Sequence, residues 1–234
     1  PDDPLGEGDG FFDSDPRIPT DTIDCMTWLQ WVLAMAYSSE DSDPLRWMDT
    51  LRYYGGNVGF DTRKHYVDRW LWMDPGPLRP LPCDSEDCPS ETIELQLDGV
   101  PRAHDYPCSL WREEVSSIEF RSFQPNRLPN VLKSLEPGFY VIFGVANDRY
   151  LSLYGQDSGP MGQVHPALLE ITDEHIEITH ASTVAGAIDT LSLTEWIENS
   201  RTLHRGTTLY SLDPDWDPES HRLPIGRTNL CPRR

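Results

Sequence analysis

The chain has 234 residues, with 39 acidic and 19 basic side chains and a net charge of −20. A surface that negative repels phosphate backbones and anionic lipid, which excludes nucleic acid and acidic membranes as partners. Hydrophobic residues make up 38% of the chain and eight are Trp, a globular composition, yet no apolar run approaches the roughly 20 residues of a membrane span.

The chain opens Pro1-Asp2-Asp3-Pro4 without an initiator Met, as a removed leader or a trimmed start would leave it. Residues 1–20 are acidic and rich in Gly and Pro and read as an extended arm. Thr22 or Asp24 then caps a predicted helix over 25–38. Its apolar residues, Trp28, Leu29, Trp31, Val32, Leu33, Met35 and Ala36, cover nearly the whole circumference, so a buried central helix is expected. A second helix over 44–54 stops at Gly55-Gly56. Residues 74–130 are rich in Pro, contain three Cys and read as a loop insertion within a single domain spanning 1–234. From Gly138 the pattern turns to strands, at 138–146, 150–154, 163–171 and 175–182. A short helix over 193–199 and a last strand over 207–212 follow. Helices first and an antiparallel meander afterwards predict an α+β fold.

Five cysteines are present. Cys83, Cys88, Cys108 and Cys231 lie in Pro-rich, loop-like sequence, whereas Cys25 opens an apolar helix. Four plus one predicts two disulfides, one free thiol and an oxidising compartment, with three pairings open. The four show no Cys-x-x-Cys spacing of the kind a zinc site uses.

A thiol at a helix start is placed for chemistry. Unpaired backbone N–H groups there lower its pKa and can stabilise an oxyanion, although a free Cys is also commonly a small core residue. The histidines favour chemistry. If Thr172-Asp173 is a two-residue hairpin loop, His165 falls directly opposite His180, on the face that carries Ala167, Leu169, Ile171, Ile176 and Ile178. Two imidazoles at the end of an apolar face need partners, and one can act as base for Cys25 while the other orients it. Arg63, His65 and Tyr66 follow the double Gly. A guanidinium fork suits a peptide carboxylate or a lactyl oxygen, and a Tyr face suits a sugar ring. Asp24 suits a substrate amine or the helix cap equally.

The order Asp24-Cys25, His165, His180 resembles the NlpC-type papain-like cell-wall hydrolases. More narrowly it is similar to the family filed as domain of unknown function 1460. Three stretches carry the likeness: Asp24-Cys25-Met26-Thr27-Trp28 continuing to Leu33-Ala34-Met35-Ala36; Arg52-Tyr53-Tyr54-Gly55-Gly56 followed by Arg63, His65-Tyr66, Asp68 and Trp70; and Ile178-Thr179-His180-Ala181-Ser182. The resemblance implies a papain-like fold, with the Cys on a buried helix packed on an antiparallel sheet. It implies a Cys25, His165, His180 triad and hydrolysis of the amide between N-acetylmuramic acid and L-alanine in muropeptides. The activity would reside in the periplasm or cell envelope and use no metal or other cofactor. Rival readings are a D-glutamyl-diaminopimelate endopeptidase of the same fold, a non-catalytic envelope binding protein, and a zinc amidase using His65, His165 and His180. The zinc reading leaves Cys25 unexplained.

Overall fold

The computed structural model describes residues 23–40, 42–59, 62–64, 67–82, 90–96, 115–154, 162–182 and 185–221. It divides into two compact units. Among the described residues, one unit takes those that fall within 1–76, 96–115 and 215–234, and the other those within 77–95 and 116–214.

The first unit is helical. Helix α1 (Cys25–Tyr37) begins at Asp24, whose carboxylate accepts from the Thr27 N–H at 2.6 Å. It buries Thr27, Trp28, Leu29, Gln30, Leu33 and Ala34, whereas Met35 is 50% exposed. The helix is therefore one-sided, not buried all round as its composition suggested. Helix α2 (Pro44–Arg52) is capped by Asp43, which accepts from the Leu45 N–H at 3.0 Å, and Pro44 sits in its first turn where a missing N–H costs nothing. It packs on α1. Tyr53 ends it in extended conformation, and Gly55 and Gly56 turn the chain at φ 62° and 69°. The stop signal was legible, and the helix ends just before it. Helix α3 (Val67–Met73) was not foreseen. Lys64, fully buried at its side chain, ties the unit together: its ammonium donates to the Thr50 and Asp74 carbonyls, each at 3.1 Å, and lies 3.4 Å from the Asp74 carboxylate. Tyr37, Trp47 and Trp216 form an aromatic cluster with centroids 5.4–6.1 Å apart.

The second unit is built on a six-stranded sheet in the order β1-β8-β4-β5-β6-β7. The strands are β1 (Leu78–Pro80), β4 (Gly138–Ala146), β5 (Gln163–Ile171), β6 (Ile176–Ser182), β7 (Ala187–Ser192) and β8 (His204–Leu212), and every pairing is antiparallel. A separate two-stranded sheet pairs β2 (Ser90–Gln96) with β3 (Val115–Arg121). Helices α4 (Leu128–Leu132), α5 (Asp148–Tyr154) and α6 (Leu193–Ser200) complete the unit. Its core joins Phe123, Leu128, Leu132, Ile142, Ala167, Leu169, Ile171, Ile178, Trp196 and Leu209. Helices with an antiparallel sheet fit the α+β class.

Three local expectations need correction. Residues 150–154 are helical, because the Asn147 side chain accepts from the Tyr150 N–H at 3.0 Å and caps α5. Strand β7 was missed. Its pattern is mostly exposed because it is the sheet's edge, so it lacks the apolar alternation that marks a half-buried strand. Strand β8 starts at His204 instead of Thr207. Within 74–130, β1 pairs with β8, and Leu78, Phe120, Phe123 and Leu128 are buried. The arm at 1–20 and Cys83, Cys88, Cys108 and Cys231 lie outside the described residues. Among the described residues Cys25 is a free thiol.

Candidate active site

Strand β5 carries His165 in an unusual conformation. Opposite it, β4 pairs Phe143 with Pro166 and then Gly144 with Val164, leaving His165 as an extra, bulged residue. Its φ is +48°, in the left-handed region that a non-Gly residue enters at a cost of about 1–3 kcal/mol. Such a bulge re-aims one side chain off an otherwise regular strand, which is how an imidazole can leave the ladder direction.

His165 Nε2 lies 2.8 Å from His180 Nδ1, a direct hydrogen bond between the two rings. The expectation that the two meet is met, although not by the expected register. Strand β5 pairs with β6 as Leu169 with Ile178 and Ile171 with Ile176, so the loop holds four residues, not two. Thr172 closes it, with the Thr172 N–H bonded to the His175 carbonyl at 3.0 Å. The register is thus shifted by two, which preserves the face on which each side chain lies. Ala167, Leu169, Ile178 and His180 are accordingly buried on one side. The bulge then brings His165 to His180.

Two further rings complete the cluster. Trp196, from α6, stacks on His165 with centroids 5.6 Å apart and planes 15° apart, and meets His180 edge-on at 5.5 Å. The capping box of α6, in which Ser192 and Glu195 exchange hydrogen bonds, fixes the start of that helix one turn before Trp196. His204, the first residue of β8, lies 6.0 Å from His165 with planes 28° apart. Neither Trp196 nor His204 was picked out from sequence. The turn of α6 was legible, but Arg205 is bulged against β4, and that break in alternation hid the strand's first residues.

Burial sets the electrostatics of this cluster. It pushes His165 down to about 3, with the neighbouring His180 and His204 adding to the effect. It pushes His204 down to about 4. His180 is also lowered by burial, against the pull of Asp189, its cross-strand neighbour on β7. All three rings are neutral at pH 7. With a single proton in the His165–His180 bond, the His165 ring can donate through Nε2 and keep Nδ1 as a lone pair.

Cys25 occupies the first position of α1. Burial pushes its thiol up to about 12, with the Asp24 carboxylate adding to the rise, and hydrogen bonds to backbone N–H groups only partly offset both. A helix start alone would lower the thiol, but desolvation outweighs the helix terminus. Asp24 serves as the helix cap. Arg63 is 4% exposed and bridges Tyr53 through the backbone, with the flanking Tyr54 N–H on Thr62 and Lys64 N–H on Arg52 at 2.8 and 2.9 Å. The residue thus lies buried at a backbone bridge and not on an open surface. His65 and Tyr66 lie outside the described residues. Donor atoms of Glu170, His175 and Glu177 lie within 4.8 Å of one another at the β5–β6 turn, mostly exposed and on a different stretch of the hairpin from His165.

Comparison with known proteins agrees with the resemblance to the domain of unknown function 1460 family. Residues 4–82 match a family model described as AmiA-like, N-acetylmuramoyl-L-alanine amidase-like. That span contains Asp24, Cys25, Arg63, His65 and Tyr66. No curated protein sequence matches the chain significantly. Among solved structures, a Legionella pneumophila protein of the 1460 family is 18% identical, with a TM-score of 0.75 over 91% of this chain and 83% of that one. An N-acetylmuramoyl-L-alanine amidase from Bacteroides uniformis is 17% identical, with a TM-score of 0.59 over 84% of this chain and 87% of that one. A Bacteroides fragilis structure described as a xylanase candidate is 16% identical, with a TM-score of 0.57 over 81% and 86%. At these identities the likeness establishes the fold.

Proposed function

We propose that the protein is a peptidoglycan hydrolase of NlpC-type papain-like architecture that cleaves the amide between N-acetylmuramic acid and L-alanine. Cys25 is its nucleophile, His165 its general base and acid, and His180 the orienter of His165. The observation that carries the reading is the 2.8 Å bond between His165 Nε2 and His180 Nδ1 at a strained bulge. Strain of that kind persists where surrounding structure holds a group for a task. The amidase-like family match over residues 4–82 supports the substrate class.

In this mechanism His180 Nδ1 accepts from His165 Nε2–H and so fixes the tautomer that leaves His165 Nδ1 free to take a proton. The Cys25 thiol, held neutral at rest by burial, gives its proton to Nδ1 as sulfur attacks the lactyl carbonyl. The C–N bond breaks, the imidazolium returns the proton to the departing L-alanine amine, and the lactyl group remains as a thioester. Water, deprotonated by the same ring, then attacks the thioester carbonyl and the thiol leaves with its proton restored. Backbone N–H groups at the start of α1 suit the oxyanion. Arg63, His65, Tyr66 and Asp24 are the proposed contacts to substrate. The activity belongs to the periplasm or cell envelope, where the two expected disulfides among Cys83, Cys88, Cys108 and Cys231 are stable.

The test is mass spectrometry of purified muropeptides incubated with the protein. Free disaccharide plus an intact stem peptide supports the amidase. Cleavage between D-glutamate and diaminopimelate makes the protein an endopeptidase of the same fold, and intact muropeptides overturn the hydrolase reading.

A further inference from the structure

The proposed chemistry uses two of the three clustered histidines. His204 is 8% exposed, and neither of its ring nitrogens has a hydrogen-bond partner among the described residues. Its ring lies so close on β4 that a Cβ at Gly144 would fall 2.5 Å from its Cε1 and Nδ1. The absence of a side chain at Gly144 is what seats the ring. Around it stand His165 at 6.0 Å, Tyr150 at 6.0 Å and Trp196 at 6.4 Å between centroids.

Burying an imidazole without partners costs free energy that a phenyl ring of similar size would not. Packing alone therefore favours Phe at this position. What the imidazole adds is two nitrogens and the capacity to carry charge beside His165. The titratable groups that face it are His165 from β5 and Tyr150 from α5, with His180 beyond His165 on β6 and Asp189 behind His180 on β7. On its own strand, the adjacent Arg205 guanidinium donates to the Ala146 carbonyl. Gly144 and Trp196 contribute no charge.

We propose that His204 is a positioning residue for His165: seated on Gly144, its ring fixes the plane of the His165 imidazole and opposes a second proton in the cluster. The role rests on His165 being the base, and it acts when the cluster is acidified: once one of the two rings carries a proton, its charge opposes a proton on the other. Burial and like charge both hold His165 low, and His204 is one of the two neighbours responsible for the second effect.

The experiment uses the full chain with ring-labelled histidine. His165 is titrated by NMR, and Cys25 alkylation is timed at pH 7, in the wild type and in His204→Phe, which keeps a ring on Gly144 and removes both nitrogens. The His165 midpoint is expected to rise by about half a unit or more with the melting temperature retained, because the charge that His204 gains on acidification is gone, whereas alkylation at pH 7, where His204 is neutral, is expected to stay the same. An unchanged His165 midpoint overturns the role of His204. Alkylation at pH 7 that changes together with the midpoint overturns a hold exerted through charge, because His204 is neutral at that pH. If His204→Phe does not fold, His204→Gln gives the same two readouts.

Discussion

The buried histidines make stability depend on pH in a direction that can be worked out. A histidine whose pKa is lower in the folded than in the unfolded state binds fewer protons when folded. Its contribution is fully present above the unfolded value of about 6.5 and is lost as pH falls toward the folded one. His204 falls to about 4 and His165 to about 3, both by burial first. At pH 5 an unfolded histidine is almost fully protonated while both of these are neutral, so each gives up about 2 kcal/mol relative to pH 7.5. Together they account for about 4 kcal/mol, a large share of the roughly 5–15 kcal/mol that keeps a protein folded. Carboxylates also titrate in this range, and a comparison of two proteins cancels them. In His204→Phe the loss of stability between pH 7.5 and pH 5, measured by urea unfolding, should be smaller than in the wild type by about 2 kcal/mol. Equal losses in the two proteins would show that His204 titrates normally in the folded state, and the buried, neutral cluster would be refuted.

Two other outcomes follow from the site and the cysteines. His165→Ala should lower turnover by about 100- to 10,000-fold and His180→Ala by less, because an orienter is lost with the base still present; the reverse order would exchange their roles. Under denaturing, non-reducing conditions thiol counting should find one reactive thiol, and five would overturn both the disulfides and the oxidising compartment.

Much of the sheet and the meeting of His165 with His180 could be read from sequence because local signals and tertiary packing agree there. Asp24 before an apolar run marks α1, and the short helix expected over 193–199 is α6. The alternation through Ala167, Leu169 and Ile171 assigns one face of β5 correctly even though the register is off by two, since a two-residue slip keeps the face. The misread parts have local causes. Thr172 organises a four-residue loop where two residues were counted. Asn147 caps a helix in a stretch whose Tyr and Leu suggest a strand. His204 escaped notice because the Arg205 bulge interrupts the pattern of β8. The bulge at His165 has no sequence signature, as Gly is the residue that usually announces a positive φ. The thiol's high pKa was equally hidden, because a helix start is local whereas desolvation depends on everything folded around it.

Muropeptide turnover by purified Cys25→Ala tests Cys25 as the nucleophile. Cys25 is a free thiol among the described residues, and removing its sulfur leaves the Asp24 cap in place, so the variant should fold like the wild type by circular dichroism and thermal melting. Turnover by that folded protein is expected to vanish. Turnover at the wild-type rate would contradict a cysteine mechanism.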